Sequence, residues 1–194
     1  PKFQEEEPPS IPVKKKPEKV KDGFESPKAL VDDILQTQKK GDTGIVEILK
    51  YLSPVDLQAF ALQMMVMADM MAGFSKKKEE AEKAVKDLRG KFNVPEKVDG
   101  VEEDKLGEVI EDKEKAKEVS AKYFKDVDTK AFLTALFELE HLKKMSEEKG
   151  PKIKEVKEIK EDGDKATVTT LLDNGKEEKH KLIKVDGRWY AIMD

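Results

Sequence analysis

The sequence predicts an α+β fold, with N-terminal helices packed on a C-terminal four-stranded antiparallel meander and a charged helical insertion between them. Two observations carry this expectation. From Lys152 to Asp194, β-rich runs are separated by three turn signals, Asp162-Gly163-Asp164, Asp173-Asn174-Gly175 and Asp186-Gly187. Such pairs are strong hairpin signals because tight hairpin turns need positive φ. Before Lys152, apolar residues recur at helical spacing between Ser-Pro starts and Gly stops.

Residues 1–22 hold five of the nine prolines and two charge runs, Glu5-Glu6-Glu7 and Lys14-Lys15-Lys16. Too little apolar surface is present to offset ordering entropy, so this stretch reads as a flexible tether. Residues 23–194 then read as a single domain. Ser26 caps and Pro27 opens the first helix, whose stripe is Leu30, Val31, Ile34 and Leu35 and whose stop is Gly41. A short second helix carries Ile45 to Leu52. Ser53-Pro54 repeats the start, with Asp56 placed to complete a capping box.

The third helix, over 54–73, is apolar on nearly every side: between Ala59 and Ala72 only Gln63 and Asp69 are polar. That pattern predicts a core helix or one covered by a partner, too short and too interrupted to span a bilayer. Gly73-Phe74-Ser75 is read as its break. Residues 75–150 form the insertion and the last helix. A surface helix over 76–92 carries Ala81, Ala84, Val85, Leu88 and Phe92 on one face, and 93–104 is a loop. Leu106 to Ile110 is one helical turn or a brief strand. A further amphipathic helix is marked by Ala116, Val119, Tyr123 and Phe124, and a last one over 129–148 by Phe132, Leu133, Leu136, Phe137, Leu139 and Leu142.

In the sheet, Ala166, Val168, Thr170 and Leu172 alternate with Thr167, Thr169 and Leu171, the period of a half-buried strand. Strands three and four follow over 177–185 and 188–193. The first strand is the irregular one, because Ile153, Val156 and Ile159 are spaced by three. Pro151 and the Asp162 turn leave room only for a short element, and a strand is expected.

Two stretches resemble the nuclear transport factor 2-like superfamily. One is Ser26-Pro27-Lys28-Ala29-Leu30 through Lys40-Gly41-Asp42 to Tyr51-Leu52-Ser53-Pro54. The other is Gly163 to Val168, Asp173-Asn174-Gly175-Lys176, and Leu182 through Asp186-Gly187-Arg188-Trp189-Tyr190. The chain is most similar there to small bacterial envelope lipoproteins and secreted domains of unknown function. The resemblance implies a cone-shaped, cystatin-like α+β roll with helices on the concave side of a curved sheet. Residues 75–150 exceed that core and are expected to fill or cover the cone.

Composition narrows the function classes. Of 194 residues 41% are charged and 37% hydrophobic, and 38 basic against 42 acidic residues leave a net charge of -4. The signs interleave, so no electrostatic footprint for nucleic acid is present. There is no cysteine, which removes disulfides and thiolate chemistry. No run of 18 apolar residues occurs, so no transmembrane segment is expected.

Enzymes of that superfamily place an Asp or His base and a Tyr donor inside the cone. The ingredients here are Asp32, Asp33, Asp42, Asp56, Asp69, Tyr51, Tyr123 and Tyr190, none in an enzyme motif. Asp69, among Met67, Ala68, Met70 and Met71, is the first candidate for a carboxylate in a water-poor site; an exposed edge or a salt bridge to a Lys is the plainer reading. Met64, Met67 and Met71 share a helix face. Thioethers can hold Cu(I), but Met more often fills cores or lines adaptable surfaces. His141 and His180, one on each of two elements, make no metal signature. Trp189 either covers the helix layer or stacks on a ligand at the cone mouth.

These readings lead to a non-catalytic module, exported to the periplasm, cell surface or medium, that binds a protein or small-molecule partner, a second copy of itself included. Its ligand-facing candidates are Asp69, Met64, Met67, Met71 and Trp189, with no catalytic residue, metal or cofactor. The alternatives are a cone-pocket isomerase or dehydratase using Asp69 or Asp56, and a Met-rich copper protein.

Overall fold

A computed structural model describes residues 22–41, 44–98, 101–102, 105–147 and 150–193. The tether reading of 1–21 lies outside these residues. The chain runs through helices α1 (Pro27–Lys40) and α2 (Ile45–Ile48) into a single 3-10 turn, Leu49–Tyr51. Then come α3 (Pro54–Phe74), α4 (Lys78–Phe92), α5 (Leu106–Glu111), α6 (Lys113–Tyr123), α7 (Thr129–Phe137) and α8 (Lys143–Glu147). Strands β1 (Ile153–Asp162), β2 (Lys165–Leu172), β3 (Glu177–Val185) and β4 (Arg188–Ala191) follow, in sheet order β1-β2-β3-β4, all antiparallel. The architecture is α+β, helices first and an open meander last.

Local chemistry sets the boundaries. Ser26 Oγ accepts from the Ala29 N–H at 3.1 Å, Pro27 is the first helical residue, and Gly41 closes α1 with φ 86°. At the β3–β4 turn both Asp186 and Gly187 have positive φ, 49° and 78°, the pattern of a tight type I′ hairpin.

β1 explains its own odd spacing. Ile153, Val156 and Ile159 pair with Leu172, Thr170 and Val168. Three residues of β1 are thus used for every two of β2. The register shifts between Ile153 and Glu155 and between Val156 and Glu158 absorb the excess. Two successive bulges keep every third residue of β1 on the inner face and bend the strand.

Two apolar clusters result. The larger gathers α3 to α7 around Phe60, Met64, Phe124, Phe132 and Phe137. The smaller lies between α1 and the sheet and holds Leu30, Val31, Tyr51, Ala166, Val168, Leu182 and Trp189. The inserted helices therefore share a core with α3, apart from the cluster under the sheet. The 3-10 turn joins the two. Its three-residue period sends Leu49 and Leu52 to the helical cluster and Tyr51 to the sheet cluster.

Several expectations change. α3 runs through Gly73 and Phe74 and ends at Ser75, giving 21 residues. Among the described residues it is the one helix long and apolar enough, by length and composition, to cross a membrane, so it is not too short; here α4, α5, α6 and α7 pack along it. Leu106–Glu111 is helical. The last helix stops at Phe137. Leu139, Leu142 and Met145 then donate N–H bonds to Leu136, Leu139 and Leu142 at 3.2, 2.9 and 2.9 Å. These i to i+3 bonds keep leucines three apart on one side, where an α-helix would rotate them away. Asp56 does not close a capping box, because the Ser53 N–H bonds the Ala191 carbonyl at 3.3 Å instead.

Candidate functional site

The structure separates the residues singled out in the sequence. Met64 is buried in the helical cluster, and Met67 and Met71 pack half-buried against it. Met70 and Phe74 continue the same i, i+3, i+4, i+7 stripe and are 57% and 85% exposed. Asp69 lies on the helix surface, paired with the Arg89 guanidinium; the partner expected from sequence was a Lys. Trp189 is buried in the sheet cluster, and its backbone pairs with Phe24 through bonds of 3.1 and 2.7 Å. Asp69 and the Met face thus sit on one helix and Trp189 in the other cluster. Asp42 lies outside the described residues.

Asp56 is the only buried carboxylate among the described residues. Ser53 Oγ donates to its Oδ2 at 2.5 Å, and Lys117 Nζ lies 3.1 Å from its Oδ1. The group caps α3 and ties it to α6. A buried carboxylate with both oxygens committed in this way has no open side for a substrate.

A second polar group joins α1 to the 3-10 turn. Tyr51 Oη donates to Asp33 Oδ2 at 2.8 Å and lies 3.0 Å from Thr37 Oγ1. Lys50 Nζ is 3.0 Å from Asp33 Oδ2 and donates to Thr37 Oγ1 at 3.1 Å. Burial pushes the Asp33 carboxyl up, but the hydrogen bonds from Lys50 and Tyr51 and the charges of Lys50 and Lys40 outweigh it and hold it below its ordinary value. Burial works to lower Lys50, but its bonds to Asp33 and Tyr51 raise it. Burial raises the Tyr51 phenol. Each shift moves its group away from neutrality, so the network locks one charge state, whereas acid–base catalysis needs a group poised near the working pH.

His180 and the remaining tyrosines also have structural partners. His180 Nε2 lies 3.0 Å from the buried Thr170 hydroxyl. His141 sits in the turn between α7 and α8, not on a helix, with a buried Nε2 that has no partner. The Tyr190 hydroxyl donates to the Asp22 carbonyl at 2.9 Å, and its ring leaves no room for a side chain at Gly23. Asp22, the last residue assigned to the tether, is therefore docked on β4. Among the described residues no three His, Asp or Glu side chains are placed to hold a metal ion.

Two open grooves flank the segment after α4. One, of about 580 Å³, is lined by Met65, Asp69, Arg89 and Tyr123. Its neighbour, of about 440 Å³, runs along α6. The Tyr123 hydroxyl donates to the Pro95 carbonyl in the wall between them and lies 3.8 Å from Met65 Sδ. Burial raises the Tyr123 phenol. Sequence reasoning missed Arg89, Lys97 and Lys115 here, since lone cations on surface helices and loops carry no spacing signal. Compared with family models, curated proteins and solved structures, the chain has no match in any of the three.

Proposed function

We propose that this chain is a non-catalytic accessory or binding module, acting in the cell envelope or outside the cell, on a scaffold related to the nuclear transport factor 2-like roll. One observation carries the reading. The single buried carboxylate among the described residues, Asp56, is committed to Ser53 and Lys117, and the Asp33–Tyr51–Lys50 network is held in one charge state. The helical core is filled chiefly by Leu, Phe, Val and Ala side chains, with Met64 and Met65 among them. Export is supported by the Pro-rich, charged segment 1–22 ahead of the first helix and by the resemblance of the chain's two ends. The exposed Met70 and Phe74 support a partner-facing role, since Met-rich surfaces adapt to many shapes.

A second reading is favoured by one feature: a carboxylate and a phenol, Asp33 and Tyr51, meet beside a cavity of about 100 Å³ next to α1. A fragment screen read by amide chemical shifts separates the two. The binding-module reading expects hits on the outer grooves of the helical body. Hits clustered at Tyr51, Thr37 and Asp33 would favour an enzyme.

A further inference from the structure

We infer that the groove along α6 binds an anion with an apolar body, a monocarboxylate amphiphile. The inference deepens the binding-module reading and rests on it. The groove floor is apolar: Val98 and Tyr123 are buried beneath it, and Val101 and Val119 line it half-buried. Its volume, about 440 Å³, falls in the range of small-molecule sites.

Charge decides what the floor would hold. Among the described residues, every carboxylate lining this groove or its neighbour already has a cation. Asp69 pairs with Arg89, Glu96 with Lys86 at 3.2 Å, Glu102 with Lys105 at 2.6 Å, and Glu118 with Lys122 at 2.8 Å. Lys97 and Lys115 also line the α6 groove, and neither has an anionic partner among the described residues. Among the described residues the unmatched charge around the apolar floor is thus positive, and a ligand that completes it carries a negative head and an apolar tail. Lysines act as point charges without the planar fork of Arg. They supply charge without demanding a bidentate acceptor, so a single carboxylate at the groove rim is enough to answer them.

The test is a methyl and amide NMR titration of the full chain with octanoate, and with 1-octanol as its uncharged counterpart. The expected result is saturable octanoate binding at millimolar concentration, with shifts at Val98, Val101, Val119 and Tyr123, and much weaker binding of octanol. In a Lys97→Glu/Lys115→Glu variant, octanoate affinity should fall about tenfold or more while octanol is unaffected. Both lysines are exposed, so the fold should survive; a Lys97→Gln/Lys115→Gln variant, which removes charge without reversing it, should fall in the same direction. Equal binding of octanoate and octanol, unchanged affinity in either variant, shifts centred elsewhere, or no saturable octanoate binding would each overturn the inference. Its failure leaves the fragment-screen pattern unchanged, whereas failure of the binding-module reading would appear as hits beside Tyr51 and Asp33.

Discussion

Among the described residues, 22 buried ones form the apolar cluster of the helical body, led by Leu and Phe, whereas only seven do between α1 and the sheet. The sheet side depends more on directed contacts. Phe24 and Leu52 pair with the free edge of β4, Gln38 Oε1 accepts from the Ile153 N–H at 3.1 Å, and Arg188 donates to the Gly23 carbonyl at 2.5 Å. One region is held mainly by non-directional burial, whose strength grows with area. The other is held by hydrogen bonds that each contribute modestly but cost more when half broken. The contrast makes the helical body sensitive to lost volume and the sheet side sensitive to lost partners.

The largest effect should come from removing volume in the helical body. Phe132→Ala, at a fully buried site, should cost about 3–5 kcal/mol and Met64→Ala about 2–5 kcal/mol, measured by urea unfolding. A Met64→Ala loss near zero would mean that this helix face is not core. If Cu(I) then stabilised the parent but not the variant, the face would be a metal site. Asp56→Ala should follow at about 2–4 kcal/mol, because it leaves the buried Ser53 hydroxyl without its acceptor and Lys117 without its anion. An unchanged midpoint would show that the α3–α6 tie contributes nothing.

On the sheet side the expected effects are smaller. Gly187→Val should cost about 1–3 kcal/mol through backbone strain at φ 78°; an unaltered melting curve would argue against the tight turn. Tyr51→Phe should cost about 1 kcal/mol and change the pH profile. Tyr51 and Lys50 have raised folded values, so their contribution is full below about pH 10 and is lost as pH rises through those values. Asp33 has a lowered one, so its contribution is present above about pH 4 and is lost as pH falls through it. Tyr51→Phe should therefore reduce the alkaline loss, and Asp33→Asn the acid loss. Identical profiles in parent and variants would remove the network from the account.

The two regions also differed in how far the sequence revealed them. Turn residues act locally, so Ser26, Gly41 and Asp186-Gly187 marked element ends correctly. The three-residue spacing in β1 was visible too, but spacing alone does not distinguish a doubly bulged strand from an α-helix, and the stretch after Phe137 reads as a continuing helix where the structure has 3-10 bonds. The candidate site was much less legible. Met64 and Met67 were correctly placed on one helix, yet nothing local told that Met64 is buried while Phe74 is bare. The α6 groove joins Lys97, Lys115 and Tyr123 from separate segments. Such a site exists only in three dimensions and carries no periodic trace along the chain.

The route of the chain through the 3-10 joint has a consequence for synthesis. α1 ends at Lys40 and its strand partners begin at Ile153, so roughly 110 residues separate the two halves of the smaller cluster. At about 5–20 residues/s a ribosome needs roughly 6–20 s to cover that distance. During that interval Leu30, Val31 and Tyr51 have no sheet to cover them, while the helices between can already pack through contacts closer in sequence. We predict that α3 to α7 become protected before β2 and β3 when refolding is followed by pulsed hydrogen exchange. The nascent α1 is then the segment most in need of a holdase, and simultaneous protection of both regions would show that neither waits for the other.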